Sequence, residues 1–135
     1  MTAIVYDGKT LAADRLLTKE DRIVGYMKKI DHWSGGVWAC AGRLDDHEEF
    51  KFWLENREYN FKPHRNFQGI FSEDGKMYEI LCTMVPMPVI PPIGLGIATD
   101  LLESLCTLGY TAKQAVEAAK KIYTTVGGKI DVVKI

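Results

Sequence analysis

Three tight turns constrain this chain more than any other feature: Asp7-Gly8, Ser34-Gly35-Gly36 and Asp74-Gly75, each flanked by short apolar runs. Glycine supplies the positive φ that a hairpin turn needs, so each turn folds its flanking segments back antiparallel. The predicted pairs are 2–6 with 10–13, 23–33 with 37–41, and 67–72 with 77–82. Residues 37–41 (Val-Trp-Ala-Cys-Ala) are apolar throughout and read as a strand buried on both faces. Residues 15–22 and 58–66 are polar and read as loops. Residues 83–92 hold four of the five prolines and can be neither helix nor central strand.

Helical rhythm enters in three places. Leu44, Phe50, Trp53 and Leu54 fall on one side of a helix from about 43 to 57, with Asp45, Asp46, Glu48 and Glu49 in its early turns. Ala98, Leu101, Leu102, Leu105 and Cys106 repeat at i, i+3, i+4, i+7 and i+8, and Gly109 stops that helix. Thr111 and Gln114 are spaced as a capping box. The helix they open carries Ala112, Ala115, Val116, Ala119, Ile122 and Tyr123 on one face. A last strand is predicted over 129–134. The class is α+β: antiparallel hairpins followed by two adjacent amphipathic helices, suited to helices layered on sheet.

The 135 residues predict one domain, 1–135. Apolar residues make up 47% and the formal net charge is −1, so charge gives no argument for nucleic-acid or anionic-membrane binding. No apolar run is long enough to span a bilayer, and no signal peptide is evident. Cys40, Cys82 and Cys106 are odd in number and widely spaced, which argues against a disulfide framework or a zinc site. Each lies in an apolar stretch and is expected as a small core residue in a reducing compartment, which predicts a cytoplasmic location. His32, His47 and His64 lack metal-ligand spacing, and the acidic run 45–49 reads as a solvated helix start. Neither metal nor cofactor is expected. Trp33, Trp38 and Trp53 are expected in the core or at a subunit interface.

Chemistry is concentrated at the start. Loss of Met1 would place Thr2 at the head of the first hairpin with a free α-amine. Such an amine has a pKa of ~8, so its unprotonated form is available at neutral pH to take the hydroxyl proton. Nucleophile and base then sit on one residue, a recognised way to activate a hydroxyl for attack on a carbonyl.

The ordered set of segments resembles the proteasome β-subunit superfamily, in the style of the bacterial HslV peptidase. The matching stretches are Thr2-Ala-Ile-Val with Leu11-Ala-Ala-Asp14, Tyr26-Met-Lys-Lys29-Ile, Trp38-Ala-Cys-Ala-Gly42, Asp74-Gly75, Ile93-Gly-Leu-Gly96, Gly109-Tyr-Thr-Ala-Lys-Gln-Ala115 and Ile122-Tyr-Thr124. They run nearly end to end. The resemblance implies a four-layer αββα sandwich of the N-terminal-nucleophile hydrolase type. It implies Thr2 as nucleophile, Lys29 as the lysine beside it, Asp14 as the carboxylate that holds Lys29, and the N–H of Ala39 as oxyanion donor. It further implies a homo-oligomeric ring, peptide or unfolded protein as substrate, and an ATP-dependent unfoldase as partner.

One departure stands out. The family usually has Gly-Ser-Gly, its serine organising the nucleophile's amine, where this chain has Gly94-Leu95-Gly96. Two rival readings accompany the threonine peptidase, the first of them favoured by Leu95. One is a structural or assembly ring protein that kept the fold and lost the chemistry. The other is an N-terminal-nucleophile amidohydrolase acting on a small amide.

Overall fold

The computed structural model describes residues 2–20 and 22–135. Met1, on whose removal the threonine reading depends, lies outside the described residues.

The first hairpin joins β1 (Ala3–Tyr6) to β2 (Thr10–Ala13). Asp7 builds its turn: Oδ1 accepts from the N–H groups of Lys9 and Thr10, both at 2.8 Å. Asp7 Oδ2 accepts from the N–H of Ala112 at 2.9 Å, which ties this turn to the first turn of a distant helix. Two further strands complete an antiparallel sheet: β10 (Ile93–Gly96) beside β1 and β11 (Asp131–Lys134) beside β2.

The second sheet runs β5 (Ile30–Trp33), β6 (Gly36–Ala41), β7 (Gln68–Glu73), β8 (Lys76–Leu81) and β9 (Met87–Pro88), also antiparallel. The short β9 pairs only at the sheet edge, as its proline requires. The helices are α1 (Leu44–Glu55), α2 (Thr99–Thr107) and α3 (Ala112–Ile122). Thr111 and Gln114 form the capping box that opens α3.

Strand alternation sorts the side chains into three apolar clusters. Ala3, Val5 and Ala12 pack with Leu102, Ala115, Val116 and Ala119 of α2 and α3. Ile4, Leu11 and Ala13, on the other face of the same strands, meet Ile30, Ala39, Ala41 and Ile70 of the second sheet, with Leu95 of β10 among them. Trp38, Cys40, Phe71 and Ile80, on the second sheet's remaining face, pack with Phe50, Trp53 and Leu54 of α1.

Several sequence expectations are corrected. Residues 15–22 are not all loop and 23–26 do not belong to the second hairpin: β3 (Leu16–Lys19) and β4 (Arg22–Tyr26) form a separate two-stranded ribbon, and Ile30–Trp33 alone pairs with β6. The ribbon leaves Ile23, Val24 and Tyr26 exposed, so no alternation of burial marks it. The strand β10 was unanticipated because two of its four residues are glycine, which weakens strand propensity. Leu44 and Ile122, expected on buried helix faces, are exposed at helix ends, where packing stops. Of the three cysteines only Cys40 is buried. Cys106 is half-buried, and Cys82, just past the end of β8, is exposed.

Candidate active site

Asp14 follows β2 and is fully buried. Its Oδ1 accepts from Lys29 Nζ at 2.6 Å and from the Ala3 N–H at 3.1 Å. Its Oδ2 accepts from the Gly127 N–H at 3.1 Å. One carboxylate thus joins the base of β1, the segment between β4 and β5, and the chain leading to β11. Lys29 is itself only 1% exposed. Burial pushes its ammonium below the usual lysine pKa, and the Asp14 carboxylate pulls it back toward the charged form.

Thr2 precedes β1 by one residue. Its carbonyl accepts from the Ile97 N–H at 3.0 Å. Gly96 takes φ +92° and passes so close that a Cβ there would stand 1.8 Å from the Thr2 carbonyl oxygen. Only glycine permits this approach. The chain entering β1 is therefore clamped between Asp14, through Ala3, and the end of β10.

Thr2 and Lys29 open onto one cleft of about 900 Å³. Leu16, Leu17, Val24, Met27, Leu44 and Ile97 are among its apolar lining residues. The fold thus brings Thr2, Asp14 and Lys29 together: the first and third on the cleft wall, Asp14 behind them.

Ala39 is placed differently from the sequence expectation. It is fully buried between the sheets, opposite Ile30 on β5 and Ile70 on β7, so its N–H is directed at a neighbouring strand. It does not line the cleft. Gly42, just past β6, does, at φ +133°. Leu95 also lies away from the cleft wall, fully buried beside Ile4 in the inter-sheet cluster.

Two groups escaped the sequence reading. His47 of α1 lines the cleft against the Trp38 ring, 4.6 Å between centroids, and its buried Nε2 has no hydrogen-bond partner among the described residues. Burial lowers its pKa, against the opposing pull of Asp31. Its apolar-looking contacts are made across the fold, so helical spacing could not find them. The second is His64, eighteen positions from Asp46 in sequence, yet with Nδ1 3.0 Å from Asp46 Oδ2. Ligand atoms of Asp45, Asp46 and His64 all lie within 4.8 Å of one another. Among the described residues no helix is long and apolar enough to cross a membrane.

No protein-family model matches the chain, and no curated protein does. Solved structures do match, and the class they define is the HslV and proteasome-like fold. In particular, the chain is similar to eukaryotic HslV from Trypanosoma brucei, with TM-score 0.74, 17% identity, and 98% of this chain and 97% of that chain covered. It is also similar to BPH from Thiobacillus denitrificans, with TM-score 0.70, 13% identity, and 99% and 96% covered. The structure of that protein in complex with epoxomicin matches with TM-score 0.71 and 11% identity over 99% of this chain and 97% of that one. At these identities the likeness is one of fold.

Proposed function

We propose that this chain is the threonine-peptidase subunit of a self-compartmentalising homo-oligomeric ring, with Thr2 as nucleophile once Met1 is removed. The observation that carries the reading is the buried Lys29–Asp14 pair behind a cleft that Thr2 also lines. A buried ion pair is weak evidence of stability for its own sake, which makes a functional reason for it more economical. The fold is read as a four-layer αββα sandwich, in the order α2 and α3, first sheet, second sheet, α1; the three apolar clusters support that order.

In the proposed mechanism Thr2 Oγ1 attacks a peptide carbonyl and its α-amine accepts the proton. Lys29 sets a positive potential at the site, and Asp14 holds Lys29. The oxyanion is received by backbone N–H at the Gly42 bend, which lines the cleft, rather than at Ala39. One such donor is typically worth ~2.7–4 kcal/mol. The C–N bond breaks, the amine leaves with the proton, and water hydrolyses the remaining ester. The substrate is a peptide or unfolded protein threaded into the ring, delivered by an ATP-dependent unfoldase, in the cytoplasm.

A second reading, a ring protein without turnover, is favoured by one observation: the fully buried, apolar Leu95 offers the amine no hydrogen bond. One experiment separates the two. The protein is expressed behind a cleavable tag that leaves Thr2 as first residue, and assayed with fluorogenic peptides and a threonine-directed epoxyketone. Peptidase activity and an adduct of one inhibitor per chain, both lost in Thr2→Ala, are expected. Neither turnover nor adduct in the assembled protein would leave the structural-ring reading.

A further inference from the structure

We propose that Gln68 is a positioning residue for the reaction: its side-chain amide fixes the spacing between the Thr2 segment and the Gly42 bend. The inference rests on the peptidase reading above. Gln68 opens β7 and is half-buried on the wall of the cleft. Strand alternation puts it on the same face as Ile70, which belongs to the inter-sheet cluster. Gly69 faces the other way: a Cβ there would stand 2.9 Å from side-chain atoms of Phe50 and Ile80. Gln68 is thus a polar side chain where the inter-sheet core meets the cleft, aimed from the second sheet at the first. Its Oε1 accepts from the Gly96 N–H at 3.1 Å.

The Gly96 donor has no strand to pair with. β10 is the outer strand of its sheet among the described residues. The Ile97 N–H bonds to the Thr2 carbonyl, so the N–H of Gly96, one residue earlier, points away from β1. Gln68 supplies its acceptor, and because the donor is an N–H, the amide oxygen is the atom that faces it. A water molecule would satisfy Gly96 equally well but would not tie it to the second sheet. Gly96 is also the residue whose close approach clamps the Thr2 carbonyl. At its other end, Gln68 is the cross-strand partner of Ala41, the last residue of β6, and Gly42 follows directly. One side chain therefore joins the clamp on the proposed nucleophile to the strand that ends in the proposed oxyanion bend. Attack and oxyanion capture occur together, so an error of about 1 Å between the two costs on the order of 10²-fold in rate.

The test uses the full chain with Thr2 exposed. Hydrogen–deuterium exchange over residues 93–98, read by mass spectrometry, and steady-state kinetics with a fluorogenic peptide are compared in wild type, Gln68→Met and Gln68→Glu. Methionine matches glutamine in length but accepts only weakly, whereas glutamate keeps an oxygen acceptor. Gln68→Met should speed exchange over 93–98 but not in α3. It should lower kcat and the rate of epoxyketone addition by about tenfold or more, with KM within about twofold of wild type. Gln68→Glu should restore the protection and most of kcat. Unchanged exchange over 93–98 in Gln68→Met overturns the proposal, as does unchanged kcat beside faster exchange. So does equal loosening across the whole chain, or a glutamate variant that restores nothing. If Gln68→Met fails to fold by circular dichroism, Gln68→Asn, which keeps the amide but shortens its reach, takes its place with the same expectations. A wild type without turnover refutes the peptidase reading instead, and exchange over 93–98 then decides alone whether Gln68 holds Gly96.

Discussion

Gly96 and Thr2 meet at a distance that admits no side chain: a Cβ on Gly96 would lie 1.8 Å from the Thr2 carbonyl oxygen. This contact sets the position of the chain just before β1, where the proposed nucleophile sits. Gly96→Ala must push the two strands apart and also strain a backbone at φ +92°. A loss of at least ~2 kcal/mol is expected from such a site. Urea unfolding should show it as a lower midpoint with an unchanged slope.

Breaking the buried ion pair should cost more than removing it. Asp14→Ala leaves the Lys29 ammonium buried and also orphans the N–H groups of Ala3 and Gly127. A loss of about 3–5 kcal/mol is expected. Lys29→Met leaves Asp14 its two backbone donors and should cost less. In the double variant the two losses should not add, and a double-mutant cycle by chemical denaturation measures the coupling.

Acid should weaken the attachment of β11. Arg15 forms a bidentate pair with Asp131, at 2.7 and 2.6 Å. The guanidinium hydrogen bond holds the Asp131 carboxyl below its usual pKa. The folded protein therefore binds this proton less readily than the unfolded chain does. The stabilisation is fully present above the unfolded pKa, ~3.9, and is lost as pH falls through the lower folded value. Melting temperature measured between pH 2 and 6 should fall less steeply in Asp131→Asn than in the wild type.

Leu95→Ser tests whether the amine partner can simply be restored. Leu95 is fully buried among Ile4, Leu11 and Ala13. Truncating a buried leucine costs about 2–5 kcal/mol, and the serine hydroxyl adds a desolvation cost. Lower stability by urea unfolding is expected, with no loss of secondary structure by circular dichroism. A variant as stable as the wild type would mean that a polar partner for the hydroxyl lies within reach.

The exposed apolar residues of the β3–β4 ribbon and of the helix ends predict association. Ile23, Tyr26, Leu108 and Ile122 are each more than half exposed. Apolar surface of this extent marks protein contacts, and closed symmetric assembly is the default for identical subunits. Sedimentation at micromolar concentration should show an oligomer, and Ile23→Asp with Leu108→Asp should shift it toward monomer. A wild-type monomer would remove the ring from the proposed function.

Local physics made much of the architecture legible in the sequence. Glycine turns set the three hairpins, and apolar periodicity set α1, α2 and α3 within about two residues at each end, because both depend on neighbours close in the chain. Thr2, Asp14 and Lys29 were singled out by the family resemblance, and in the structure Thr2 and Lys29 line one cleft with Asp14 paired to Lys29. Three things were settled only by tertiary structure. Glycine-rich β10 exists because β1, far away in the chain, offers a pairing partner that local propensity does not report. Strand pairing on both sides buries Ala39, while the end of pairing turns Gly42 toward the cleft. His64 reaches Asp46 because a loop folds back across α1. Contact between residues far apart in the chain is a property of packing, and no spacing along the sequence encodes it.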